Sequence, residues 1–402
     1  MAGVKPFKAL RPNKEAAAAV AALPYDVYDR KEAAEAVAGK PLSFLNIDRP
    51  ETQYGPDFDM YSDEAYQTAR DLLDKEIADG VFIQDEKPCY YIYALTMNGR
   101  TQTGITACCD VADYRNGVIK KHENTRKEKE EDRIRHVDTC NAQTGPIFLA
   151  YRRNERLAEI IGEVKEGPAL YDFVSDDGIR HEVWIIDDDS TIKEIEEIFA
   201  GIGAVYIADG HHRAASAVSV GVRRGLEGES ARFMSVLFAD DELKILPYNR
   251  AVRDLNGLSK REYLDKVSES YEISGPSDIK EPEGKGLVCM YLDGEWYGLK
   301  SKYASDDPVA GLDVSVLQDN LLTPVLGIGD PRVDDRISFI GGIRGTAELE
   351  KLVDSGDYAV AFSMYPTQMS ELLSVADAGL LMPPKSTWFE PKLRSGLFIH
   401  RL

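Results

Sequence analysis

Asp209-Gly210-His211-His212-Arg213 places a carboxylate, a permissive backbone position, two imidazoles and a guanidinium in one short run. An apolar segment, Ala204-Val205-Tyr206-Ile207-Ala208, precedes it, and a small-residue segment from Ala214 to about Leu226 follows. The order reads as strand, turn and helix, with Ala214, Ala217, Val218, Gly221 and Val222 on one helical face. The first turn of a helix leaves its N–H groups unsatisfied and carries the positive end of the helix dipole. Gly210 permits close backbone approach, and Arg213 can fork onto phosphate oxygens. The chemistry expected here is phosphate binding. Adjacent histidines project in different directions and no third ligand stands nearby, so zinc is the weaker reading.

A second constellation is His122-Glu123-Asn124-Thr125. Glu123 at a helix start suits a general base or a metal-held carboxylate, and Thr125 and Arg126 suit a phosphate. These residues open the stretch 119–136, with seven Lys/Arg and five Asp/Glu, whose second half reads as a solvated, charge-laced helix. A third, Asp330-Pro331-Arg332-Val333-Asp334-Asp335-Arg336, fits an anion site or a surface ion-pair knot equally well. A fourth is Lys385-Ser386-Thr387, followed by Lys392 after Pro391. It lacks the G-x-x-x-x-G frame of a P-loop but offers ammonium and hydroxyl groups for a phosphate clamp. Two weaker signals are Pro24-Tyr25-Asp26 and Tyr248-Asn249-Arg250; an inward Arg250 would need an anionic partner. His181 and His400 have no supporting neighbours and read as ordinary.

The elements that must position these residues are mixed. Helices are expected at about 14–22, 31–38, 62–78, 192–200, 259–270 and 368–378, with Thr191/Glu194 as a capping box for the fourth. Strands at 89–97 and 100–107 flank Asn98-Gly99, a strong hairpin signal. Further strands are expected at 169–175, 180–186, 232–239, 242–253 and 357–364. Without strict βαβ alternation, the fold class is α+β, with mixed or antiparallel sheets and packed helices. The expected division is a catalytic core over 1–245 and a C-terminal lobe over 246–402.

Composition limits the partners. The 402 residues carry 48 basic and 69 acidic side chains, a net charge of −21. Such a surface repels nucleic acid and anionic membranes at long range. Five scattered cysteines without a C-x-x-C pair suggest reduced thiols in a cytoplasm. No signal core and no apolar run of bilayer length is present.

Taken in order, the motifs resemble a family of bacterial and archaeal proteins, the domain of unknown function family numbered 1015. The resemblance runs from Phe7-Lys8-Ala9-Leu10-Arg11-Pro12 and Pro24-Tyr25-Asp26-Val27 through the two histidine motifs and Pro247-Tyr248-Asn249-Arg250 to Lys385–Lys392. The Gly-His-His-Arg turn is also similar to the phosphate loop of the ParB/sulfiredoxin superfamily, whose members include free-serine kinases. Here Ala214-Ala215-Ser216-Ala217 replaces the Tyr-x-Thr-Ala that often follows.

The resemblance implies a kinase of free L-serine, with pyrophosphate, ADP or ATP as donor and Mg²⁺ as cofactor. Gly210, His211, His212 and Arg213 would hold the transferable phosphate, aided by Thr125 and Arg250. Lys385, Ser386, Thr387 and Lys392 would clamp the rest. Glu123, His122 and Asp209 would be catalytic, with Asp209 or Glu123 meeting the metal. The alternative is a nucleotide-binding regulatory switch. A redox protein akin to sulfiredoxin is disfavoured, because His211 stands where that branch has cysteine. His122, His211, His212, Arg213, Lys385 and Lys392 are expected to form one cationic pocket in an acidic molecule.

Overall fold

Apolar runs longer than one strand face set the architecture. Tyr90–Leu95 is buried at every position, so the strand carrying it must be covered on both sides. The computed structural model describes residues 1–402 and shows an α+β fold in two compact units. The first comprises Met1–Leu243 with Pro391–Leu402, and the second comprises Lys244–Glu390. The C-terminal segment therefore belongs with the first unit rather than with the residues immediately before it. No helix is long and apolar enough to cross a membrane.

The first unit is built on a nine-stranded sheet. Its strands are β1 (Val4–Lys5), β2 (Tyr90–Met97), β3 (Arg100–Asp110), β4 (Ile119–Lys120) and β5 (Ile147–Tyr151). They continue with β6 (Tyr171–Val174), β7 (Arg180–Ile186), β8 (Val205–Asp209) and β9 (Arg232–Ala239). The spatial order is β4-β8-β5-β9-β3-β2-β7-β6, with β1 on β3. Pairings β4/β8 and β5/β9 are parallel and the others antiparallel.

Five helices cover this sheet or flank it: α1 (Asp63–Ala78), α2 (Lys127–Cys140), α3 (Glu155–Lys165), α4 (Asp189–Gly201) and α5 (His211–Arg223). One core joins Ile92, Ile105, Leu149, Ile207 and Leu237 to Leu157 and Ile160 of α3, Phe199 of α4 and Ala214 and Ala217 of α5. A second core gathers Leu10, Val20, Phe44, Ile47, Leu73, Phe82 and the C-terminal Ile399.

The second unit holds a six-stranded antiparallel sheet. Its strands are β10 (Tyr248–Val252), β11 (Tyr271–Ser274), β12 (Leu287–Leu292), β13 (Glu295–Ser301), β14 (Ile337–Gly341) and β15 (Val360–Met364). Their order is β11-β13-β12-β15-β10-β14. Its longer helices are α6 (Lys260–Ser270), α7 (Gly345–Asp354) and α8 (Met369–Asp377), and Leu349 and Val353 of α7 pack on Ala251, Tyr291 and Ala361.

Several local expectations need correction. The cap of α4 is Asp188, whose side chain accepts from the Thr191 N–H, not a Thr191/Glu194 box. The strand expected over 242–253 is interrupted at Pro247, which has no N–H to give a ladder. The charged helix α2 is solvated only at its start. Asp132, Arg133 and His136 are buried, because Arg133 pairs with Asp132 at 3.0 Å and Tyr66 donates to the same carboxylate. Asp330 and Arg332 pair with each other, as do Asp334 and Arg336, giving a partly exposed ion-pair knot.

Gly221 sets how closely α5 approaches the chain beneath it: a Cβ there would lie 2.4 Å from the Ser230 carbonyl oxygen. Gly221→Ala is expected to cost about 2 kcal/mol through overpacking. Denaturant unfolding checks this, and unchanged stability would show that α5 is free to shift.

Candidate functional site

The turn after β8 starts with a bulge. Ile207 pairs with Leu149, but the next paired residue is Asp209, opposite Phe148. Skipping Ala208 re-aims the strand end. Gly210 then adopts φ +90° and acts as the N-cap of α5, with no side-chain cap. That left-handed backbone is readily open to glycine. The space a Cβ would occupy is 3.1 Å from the Arg213 guanidinium, which folds over the turn. Arg213 donates through Nη1 to the Pro146 carbonyl, while its Nε is buried with no acceptor.

Asp209 is the anchor of the turn. Its Oδ1 accepts the Gly210 N–H at 2.8 Å, and its Oδ2 meets Lys392 Nζ at 2.8 Å. Burial pushes this carboxyl up, but Lys392 and then Arg213 pull it down, and the lowering wins. Asp209 is thus ionised with both oxygens engaged.

The histidines differ from the cationic cluster expected of them. His122 is held down to about 4 by burial, against the opposing influence of the Ile207 backbone and Asp209. His211 is likewise held well below the ordinary imidazole value, by burial and then by neighbouring His122. Both imidazoles are neutral at neutral pH, with ring centroids 4.5 Å apart edge to face. His211 Nε2 accepts the His122 N–H at 3.4 Å, which puts the ring proton on Nδ1, 3.8 Å from Glu123 Oε2. His212 Nε2 accepts the Arg126 N–H at 2.9 Å. Positive charge in the turn therefore comes from Arg213 and Lys392. Thr125 donates to Glu130 at 3.2 Å, a contact within the start of α2.

The structure thus brings together His122, Glu123, Asp209, Gly210, His211, His212, Arg213 and Lys392 in the first unit. Arg250, Lys385, Ser386 and Thr387 lie in the second. There Arg250 is 3% exposed and donates to the Tyr248 and Lys385 carbonyls, against the Phe339 ring. It touches no carboxylate, and burial pulls it down to about 10. Lys385 is exposed, with φ +58° and Nζ 5.5 Å from the Tyr248 ring centroid. Ser386 donates to the Pro383 carbonyl at 2.7 Å, so only its lone pairs remain to offer.

Sequence reading missed a buried polar group beside Arg213: Asp48, Arg133, His136, Thr144 and Ser395 line one cavity with Tyr25. These residues are scattered along the chain, and only the run Asp48-Arg49 after the apolar Leu45 and Ile47 hinted at buried charge. His181 also has partners. It contacts Tyr93 and Ser175 and meets Arg394, which pairs with Asp177.

No group of three or more His, Cys, Asp or Glu side chains converges as a metal site. Mg²⁺ needs few protein ligands when phosphates supply the rest. Asp209 could reach such an ion only by releasing Lys392, whereas Glu123 is partly exposed beside the turn.

Asp209 yields a pH prediction. Its lowered carboxyl gives stability that is complete above the ordinary aspartate value, about 4, and is lost as pH falls toward the depressed value. Lys392→Met removes the leading lowering influence. The Asp209 carboxyl is then expected to titrate higher, and the acid limb of the stability curve to move to higher pH. Carboxyl NMR titration and denaturation from pH 3 to 7 check this; an unmoved titration refutes it.

Among known proteins, the family model described as "Protein of unknown function (DUF1015)" matches residues 4–315. A solved free serine kinase in complex with AMP is 15% identical, covering 73% of this chain and 92% of its own, with TM-score 0.37. A conserved hypothetical protein from Pyrococcus furiosus is also 15% identical, covering 73% and 94%, with TM-score 0.37. SbnI with C-terminal truncation from Staphylococcus aureus is 11% identical, covering 72% and 85%, with TM-score 0.37. No curated protein matches by sequence. With its family match spanning well over half of the sequence and including both histidine motifs, the chain belongs to the DUF1015 family.

Proposed function

We propose that the chain is a small-molecule kinase that transfers a phosphoryl group from pyrophosphate, ADP or ATP to the hydroxyl of free L-serine. The observation that carries this reading is the uncapped start of α5, where Arg213 lies over Gly210 with its buried Nε lacking an acceptor. An anion at this turn satisfies both the helix amides and the arginine. The choice of serine rests on the resemblance of the motif set to free-serine kinases. The same resemblance supports a ParB/sulfiredoxin-like phosphate-binding core in the first unit.

In this mechanism the amides of His211, His212 and Arg213 cradle the transferable phosphate, and Arg213 and Lys392 offset its charge. Glu123 accepts the serine hydroxyl proton. The hydroxyl oxygen bonds to the terminal phosphorus as the bond to the bridging oxygen breaks, releasing orthophosphate or the shortened nucleotide. His122 keeps His211 in place through its backbone N–H. Mg²⁺, when bound, would neutralise phosphate oxygens, with Asp209 or Glu123 as the protein carboxylate that meets it. Positioning and electrostatics supply most of the acceleration in such transfers.

In the second unit, Arg250 is a buried guanidinium without a carboxylate. A buried charge calls for a counter-charge, so we assign it an anion site with Lys385, Thr387 and the Ser386 lone pairs. Arg250→Met is expected to weaken pyrophosphate binding about tenfold or more, a conservative figure for losing a charge-assisted contact. Calorimetry with pyrophosphate checks this, and unchanged affinity removes Arg250 from the site. The acidic exterior favours a small, Mg²⁺-screened donor in a cytoplasm over nucleic acid or membrane.

The decisive assay supplies Mg²⁺ and L-serine with ATP, ADP or pyrophosphate separately and follows phosphoserine by ³¹P NMR. No product with any donor, alongside tight nucleotide binding, would favour a regulatory switch. Within the kinase, Glu123→Gln is expected to lower turnover by roughly 10²–10⁴-fold with donor affinity nearly intact. His212→Ala and Arg213→Ala should weaken donor binding instead. Wild-type turnover in all three would place the site elsewhere.

A further inference from the structure

Behind the phosphate turn, within the first unit, lies a cavity of about 30 Å³. Arg213 forms part of its wall, with Tyr25, Asp48, Arg133, His136, Thr144 and Ser395. Its chemistry is unbalanced. Asp48 is 2% exposed. Its Oδ1 accepts the Thr144 hydroxyl at 2.8 Å, while Oδ2 takes no hydrogen bond and the carboxylate makes no ion pair with the chain. Arg133, the nearest candidate cation, is committed to Asp132 at 3.0 Å and lies over the Tyr25 ring at 4.1 Å. Its only contact with Asp48 is to the backbone carbonyl, at 3.4 Å. His136 donates through Nε2 to the Ile47 carbonyl at 3.0 Å, which leaves Nδ1 as an acceptor. Burial and Arg133 keep that imidazole neutral at neutral pH.

A carboxylate this deeply buried is costly without a cation or several donors. The chain supplies one hydroxyl. Arg133 adds charge only beyond hydrogen-bond reach of the carboxylate, so a small group bearing positive charge and N–H donors would complete it. We propose that this cavity receives the primary ammonium of the acceptor, with Asp48 as its counter-charge and His136 Nδ1 as a further acceptor. Size restricts what enters. At roughly 10–15 Å³ for each water-sized group, the cavity holds about two such groups, not a whole amino acid. The ammonium end enters, and the hydroxyl end stays at the Arg213 wall, toward the phosphate turn. The ligand class is a small primary amine carrying a hydroxyl one or two carbons away. The identity of the acceptor rests on the kinase reading; the ammonium preference rests on Asp48 alone.

Calorimetry on the full chain tests this with three ligands of similar size: L-serine, ethanolamine, which keeps ammonium and hydroxyl, and L-glycerate, which replaces the ammonium with hydroxyl. L-Serine and ethanolamine are expected to bind, and L-glycerate at least tenfold more weakly than L-serine. Asp48→Asn should lower L-serine affinity about 30-fold or more, as loss of one member of a buried charge pair does, with pyrophosphate affinity unchanged. L-Glycerate binding as well as L-serine, absence of L-serine binding, or a folded Asp48→Asn protein of wild-type affinity would each overturn the proposal. Should Asp48→Asn fail to fold by circular dichroism, the three-ligand comparison on the unmodified chain decides. Asp48-dependent serine binding without phosphoserine formation would sink the kinase reading while leaving the ammonium site standing.

Discussion

The ion pair between Asp209 and Lys392 is the constraint around which the first unit's site is arranged. A bulge carries Asp209 to the strand end, its carboxylate fixes the Gly210 amide, and the turn then opens into α5. The counter-charge comes from a segment far along the chain. That segment is held by burial of Leu397, Phe398 and Ile399 and by paired hydrogen bonds between Leu10 and Ile399. Gly396 makes the approach possible, at φ +86°, because a Cβ there would lie 2.6 Å from the Phe44 ring. The docked C-terminal segment therefore also carries the counter-charge of the Asp209-Gly210 turn.

Burial then decides which of the neighbouring groups carry charge. Imidazoles lose protons when desolvated, and His122 and His211 are enclosed against each other. Guanidinium and ammonium groups hold their protons far more strongly, so Arg213 and Lys392 remain cations in the same surroundings. A site that looks uniformly basic by composition is a pair of cations framed by neutral rings. The rings shape the turn, with the His122 backbone N–H fixing the His211 tautomer; the two cations set its potential.

Buried charge elsewhere falls into two groups. Arg394 with Asp177, Arg133 with Asp132 and Arg49 with Glu51 are mutually neutralised. Asp48 has Arg133 only as a more distant counter-charge, and Arg250 touches no carboxylate. Burying an ion without its counter-ion is among the costliest arrangements a fold can hold. The unpaired ions are thus the natural places to look for ligands, and they carry opposite signs in different units.

Much of this was legible from residue order. The strand, Gly210 turn and small-residue helix are contiguous, so local chemistry alone predicts a helix start with free amides: only a glycine fits that backbone cheaply, and only small side chains pack that closely. The hairpin at Asn98-Gly99 followed for the same reason, since a tight turn is settled within a few residues. The charge states of His122 and His211 were not legible, because a pKa depends on solvent exclusion by residues distant in the chain. Nor was the burial of α2, whose charges look solvated until Tyr66 and Tyr25 are seen to cover them. The Asp48 cavity is the extreme case. Its walls come from residues 25, 48, 133, 136, 144, 213 and 395, and no local pattern marks them. The sequence by itself determined the strand–glycine–helix turn, because backbone conformation and helix amides are local properties. Only the tertiary structure decided which charges are balanced, because electrostatic pairing depends on distance in space.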